Sequence, residues 1–136
     1  MSTFDKLDRE LAPDYNINYW SDLEILTAEQ IISEFVDEDW AKLETEWRHK
    51  PVGWRVRLAD TLLAAKDRRG LSILIDMLKS TDLEVAIAAL ATLSARVDSL
   101  TAYPAVRNHL EMLRRRVSEG DRLIVDDILS RLPQAE

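Results

Sequence analysis

The chain contains no cysteine, only three glycines, four prolines and two histidines. Without cysteine there are no disulfides, no thiol chemistry and no cysteine-ligated zinc. Three glycines (Gly53, Gly70 and Gly120) are too few for a glycine-rich phosphate loop, a dinucleotide fingerprint or a nucleophile elbow. His49 and His109 fall in different predicted hairpins, and no His-Glu-x-x-His pair places two imidazoles on one helix face. No apolar run approaches the ~20 residues of a membrane span. Met1-Ser2-Thr3-Phe4-Asp5 does not read as a signal peptide, so a soluble, cytoplasmic protein is expected.

The charge excludes further classes. The chain has 136 residues and a formal net charge of −7, which disfavours a generally basic nucleic-acid binder or a binder of anionic membranes. At roughly 100–200 residues per domain, a single domain is expected over 1–136. The negative charge is concentrated: residues 1–50 hold 13 acids and five bases, whereas residues 51–136 hold 12 acids and 13 bases. Eight of the nine aromatic residues precede residue 55, including all four tryptophans (Trp20, Trp40, Trp47, Trp54). Two readings of this coincidence stay open. The rings fill an N-terminal core beneath solvated charges, or they form an acidic, aromatic face for a basic partner.

Apolar spacing is helical almost throughout. Phe4, Leu7 and Leu11 mark a short helix ending at Pro13. Tyr15, Ile17 and Tyr19 form one short extended candidate. Thr27-Ala28-Glu29-Gln30 reads as a capping box that opens a helix burying Ile31, Ile32 and Phe35. Six further helices are predicted near 38–49, 53–67, 71–80, 82–97, 103–117 and 121–132, following a helical N-terminal extension over 1–36. Val56, Ala59 and Leu63 define the expected buried stripe of the second of these, which turns Arg55 and Asp60 outward. Gly70, after Arg68 and Arg69, reads as a C-terminal cap. Thr81-Asp82-Leu83-Glu84 reads as a second capping box. The run from Leu83 to Leu93 has only Glu84 and Thr92 as polar residues, so its helix must be buried on more than one side. Val106, Leu110, Leu113 and Val117 repeat the stripe, and Val125, Ile128, Leu129 and Leu132 end it. Short loops make consecutive helices antiparallel pairs.

Asp82-Leu83-Glu84-Val85-Ala86-Ile87-Ala88-Ala89-Leu90-Ala91-Thr92-Leu93 resembles the second helix of a HEAT or HEAT-like repeat. Trp54-Arg55-Val56-Arg57-Leu58-Ala59 matches in part and Asp121-Arg122-Leu123-Ile124-Val125 weakly. Second helices would begin near 53, 82 and 121, closer than the ~40–47 residues usual for the class, so the repeats are degenerate. The resemblance implies an all-α fold of three stacked antiparallel hairpins over 38–132, a HEAT-like α-solenoid. A six- or seven-helix bundle is the alternative. Such a solenoid presents a rigid groove lined mostly by second helices.

No constellation supports catalysis, so the expectation is a protein without enzymatic activity, cofactor or metal. Asp37-Glu38-Asp39 starts like a calcium loop, but the sixth and twelfth positions are Lys42 and Arg48 where an EF-hand requires Gly and Glu. Asp126 and Asp127 are adjacent in a helix and point about 100° apart. The basic runs Arg114-Arg115-Arg116 and Lys66, Arg68, Arg69 read as helix ends. A non-enzymatic protein-binding module follows. In size, charge and repeat architecture the chain is similar to bacterial immunity proteins, which implies a cytosolic protein that binds and neutralises a secreted toxin through an acidic surface. An adaptor or regulatory subunit is the alternative, followed by a HEAT-like lyase or DNA-glycosylase relative. The expected partner is a basic protein, not nucleic acid or membrane. The candidate partner-binding residues are Asp37, Glu38, Asp39, Trp40, Glu44, Glu46, Trp47, Asp60, Glu84, Asp126 and Asp127.

Overall fold

The computed structural model describes residues 2–12 and 24–132, with the backbone alone at 101 and 102. The extended candidate Tyr15-Ile17-Tyr19 and Trp20 lie outside the described residues. Among those residues the protein is all-helical, with no strand. The helices are α1 (Thr3–Leu11), α2 (Ile25–Ser33), α3 (Asp37–Glu46), α4 (Val52–Thr61), α5 (Arg68–Met77), α6 (Leu83–Ser94), α7 (Ala105–Arg114) and α8 (Glu119–Arg131). Short 3-10 segments at Trp47–His49, Leu62–Ala64 and Val97–Ala102 follow α3, α4 and α6.

Local chemistry explains three helix starts. The Ser2 hydroxyl accepts from the Asp5 amide, and the Asp5 carboxylate accepts from the Ser2 amide, closing a box around the first turn of α1. Ser118 accepts from the Asp121 amide at α8. Asp67 accepts from the Arg69 amide at 2.8 Å and opens α5. Three predicted boundaries are corrected. Helix α2 begins at Ile25, so Thr27 lies within its first turn. Asp82 precedes α6 without a capping bond, because its carboxylate takes a 2.7 Å bond from Arg55. Lys66, Arg68 and Arg69 do not end a helix; Arg68 and Arg69 begin α5, where the Asp67 carboxylate offsets their unfavourable position at the positive end of the dipole.

Gly70 is therefore no C-cap but a first-turn helical residue, and its role is close approach. A Cβ there would lie 2.9 Å from Ala65 Cβ and 3.3 Å from both the Leu62 side chain and the Trp40 ring. Gly70→Ala should gain the ~1 kcal/mol helix advantage of alanine and lose more, about 1–3 kcal/mol, to overpacking. Gly120→Ala, with nothing within 4 Å, should keep that advantage. Urea midpoints that fall for Gly70→Ala and rise for Gly120→Ala are expected; a rise for both would mean the Gly70 contact is not tight.

One hydrophobic core runs through the described helices. Helices α1 and α2 are part of it rather than an extension beside it, since Phe4, Leu7, Leu11, Ala28 and Ile32 are all buried there. Helix α6 packs against α4, α5 and α8, as its nearly continuous apolar run requires. Pairs α5–α6 and α7–α8 pack together across short connections. The first expected pair does not form a substantial interface: α3 packs mainly on α1. The stripe of α4 is also shifted. Trp54, Leu58, Ala59 and Leu62 are buried, whereas Leu63 is 45% exposed.

Arginines from neighbouring segments donate to carbonyls at helix ends, where intrahelical partners run out. Arg57 donates to the Leu11 carbonyl at the end of α1. Arg96 donates to the Ala65 carbonyl at 2.7 Å and to Leu62 at 3.3 Å, past the end of α4. Arg107 reaches the Leu129 and Leu132 carbonyls at the end of α8. Each places a cation at the negative end of a helix dipole.

Candidate functional site

Helix α3 carries the densest set of predicted binding residues, and its own geometry sorts them. Asp37, Glu38 and Asp39 occupy the first turn, where the helix dipole favours acids. Asp39 turns inward. Its two carboxylate oxygens accept from the Phe4 and Val36 amides, each at 3.0 Å, tying α1 to the start of α3. Trp40 and Trp47 are buried in the core. The Phe35 ring packs edge-on to Trp40 at 5.2 Å, the Arg69 guanidinium lies 5.6 Å from the Trp40 ring centroid, and Arg48 lies 4.6 Å from that of Trp47. The core reading of these rings holds. Asp39, Trp40 and Trp47 are withdrawn from the surface: the rings are apolar, and the one buried acid is satisfied by two amide donors.

The remaining acids of α3 stay accessible to different degrees. Asp37 is 95% exposed at its side chain although Arg69 bonds it at 2.9 Å. Glu38 and Glu44 are exposed, and Glu46 is half-buried. Elsewhere, Asp60 on α4 is half-buried and engaged with other groups. Arg55, expected to face outward, is folded down onto Asp82, with its side chain only 14% exposed. Glu84 is exposed in the first turn of α6. Asp126 receives two bonds from Arg114, at 2.7 and 3.3 Å, and the arginine holds its carboxyl below the usual range. A carboxylate held ionised in this way is a weak general base. Asp127 pairs with Arg131 at 3.4 Å. The structure thus gathers Asp37, Glu38 and Glu44 on α3, while Asp60, Glu84, Asp126 and Asp127 are spread over α4, α6 and α8.

Asp39 is a supporting residue whose removal leaves two inward-facing amides without their acceptor. Asp39→Ala should lower stability by about 1.5–3 kcal/mol, the range for bonds to a charged acceptor. Glu38→Ala, one residue away on the exposed side, should change it by less than about 0.5 kcal/mol. Equal urea midpoints for the two variants would remove Asp39 from the core.

A groove that the sequence reading missed lies between α3 and α5. Three adjoining depressions of about 740, 440 and 250 Å³ form it, the first two sharing Glu44 and Ser72, the last two sharing Trp47, Arg48 and Asp76. A further cleft of about 310 Å³, lined by Ile32, Phe35, Trp40 and Ala65, meets it at Lys66 and Asp67. The signal was present in Lys66-Asp67-Arg68-Arg69, but as a helix end that run points away from any groove; as the start of α5 it borders one.

Among the described residues no group of three His, Cys, Asp or Glu is arranged to hold a metal, and no helix is long and apolar enough to cross a membrane. No protein-family model, curated protein or solved structure gives a significant match to this chain.

Proposed function

We propose that this protein is a non-enzymatic binding module for a basic protein partner, steered by its acidic N-terminal third. The observation that carries this reading is the exposure of Glu38 and Glu44 on α3, within a segment holding 13 acids against five bases. Carboxylates at such a surface contribute little to folding and much to the rate of encounter with a cation-rich partner. The HEAT-like solenoid is part of the proposal. Its support is the order of contacts: α6 packs on both α4 and α8, while α5 and α7 back onto α6 and α8. A cytoplasmic immunity protein that neutralises a secreted bacterial toxin is the specific form of this reading, and an adaptor or regulatory subunit is the second form.

The test is comparative capture from a lysate of the source cells, with wild-type protein and Glu38→Lys/Glu44→Lys as baits and mass spectrometry as the readout. The expected result is a basic protein retained by the wild type and depleted on the reversed bait. An identical set of proteins on both baits would refute the acidic face. Asp39 is left unchanged because it is part of the fold.

A further inference from the structure

The α3–α5 groove has the opposite charge to the chain that contains it. Its lining includes six cations (Arg48, Arg55, Lys66, Arg68, Arg69 and Lys79) and three carboxylates (Glu44, Asp67 and Asp76), in a protein of net charge −7. Most of these cations have partners. Arg69 pairs with Asp67 and Asp37, Arg48 and Lys79 share Asp76, and Arg55 pairs with Asp82. Lys66 and Arg68 are exposed, and no carboxylate among the described residues pairs with them. They line the 740 Å³ depression of the groove, where Tyr103 donates to the Arg68 carbonyl at 3.4 Å. Next to them the accessible apolar groups include Ala41 on one side and the half-buried Phe35 on the other, over a floor of buried Trp47, Ile73, Trp40 and Ala65.

We infer that this groove binds an extended acidic segment of a protein, its carboxylates on Lys66 and Arg68 and its apolar side chains against the adjoining floor. The site borders the acidic face proposed above and shares Glu44 with it, but its Lys66 and Arg68 cations do not depend on that reading. Charge complementarity selects the occupant. Two unpaired cations at the mouth match one or two spaced carboxylates, whereas Glu44, Asp67 and Asp76 along the same groove would repel an unbroken row of phosphates. The N-terminus of α5 is not the anion site, because the Asp67 carboxylate already accepts from its Arg69 amide. Length fits as well. Helix α5 has 10 residues, or about 15 Å at 1.5 Å each, the span of roughly five extended residues at ~3.3 Å each.

A fluorescein-labelled hexapeptide alternating glutamate and leucine, followed by anisotropy, tests the inference. The wild type should bind it, more weakly as salt rises. Lys66→Glu/Arg68→Glu should lose about tenfold or more in affinity, equivalent to ~1.4 kcal/mol. Both side chains are exposed and pair with no carboxylate among the described residues, so an unchanged far-ultraviolet circular dichroism spectrum and thermal midpoint are expected. Glu44→Lys should tighten binding, which a merely unfolded or sticky variant would not do. Glu38→Lys should leave peptide affinity unaltered, so failure of this site and failure of the acidic face give different patterns. No binding to the wild type, binding insensitive to the Lys66/Arg68 reversal, or tighter binding of a single-stranded DNA of similar net charge would each overturn the inference.

Discussion

Trp54→Ala is expected to lower stability by about 3–5 kcal/mol, the range for truncating a buried aromatic side chain, and to release α1. Trp54 is 1% exposed, and its ring fills the space between α4 and α1. Its indole N–H donates to the Asp8 carboxylate at 3.0 Å, and the same carboxylate meets Lys50 at 3.0 Å. Lys50 in turn lies 5.4 Å from the Trp54 ring centroid. Removing the indole therefore deletes the packing and leaves Asp8 with only the half-buried Lys50 as a side-chain partner. Trp54→Phe separates the two contributions: it keeps most of the apolar volume and should cost about 1.5–3 kcal/mol more than packing alone explains, the range for a hydrogen bond to a charged acceptor. Urea denaturation of both variants checks this. A loss under about 1 kcal/mol for Trp54→Ala would mean that α1 is anchored elsewhere.

Leu90→Ala should cost about 2–5 kcal/mol. Leu90 is fully buried in α6, the helix that packs against α4, α5 and α8. With neighbours on three sides, the cavity left by the missing side chain cannot close by moving one helix without disturbing another. Thr92 on α6 and Arg96 just past its end add to that rigidity, since they reach carbonyls in the last turn of α4 and beyond it. A loss below about 1 kcal/mol would show that α6 is peripheral and that the core is organised around another helix.

Much of this fold was legible from apolar spacing alone. The stripes of α7 and α8 needed no tertiary information, and the Leu83–Leu93 run implied burial on several sides before its neighbours were known. The misread positions share a cause: local signals with two physical solutions. Gly70 after two arginines satisfies a C-cap pattern, but the contact that requires glycine is with Ala65, Leu62 and Trp40. Asp82 carries a capping signature, but Arg55, 27 residues earlier, takes its carboxylate. Val56, Ala59 and Leu63 fit a helical stripe, yet the chain tightens into a 3-10 segment at Leu62–Ala64 and rotates Leu63 outward.

The candidate site was less legible. Asp39 looks like its neighbours Asp37 and Glu38 in sequence, and only the approach of α1 distinguishes it by supplying the Phe4 amide. Trp40 and Trp47 suit a core as well as an interface by spacing, and packing decides for the core. The groove between α3 and α5 was invisible because it joins residues of two helices that the sequence assigns to different hairpins.

The central claim is that accessible carboxylates on α3 steer a basic protein onto this surface. The direct measurement is the association rate constant of the captured partner with wild type and with Glu38→Lys/Glu44→Lys, from about 0.1 M to 1 M salt, over which the Debye length shrinks from ~10 to ~3 Å. The account predicts a wild-type rate that falls steeply with salt and a reversed variant that is slow at low salt, with little salt dependence. Equal rates and equal salt dependence for the two proteins would contradict it.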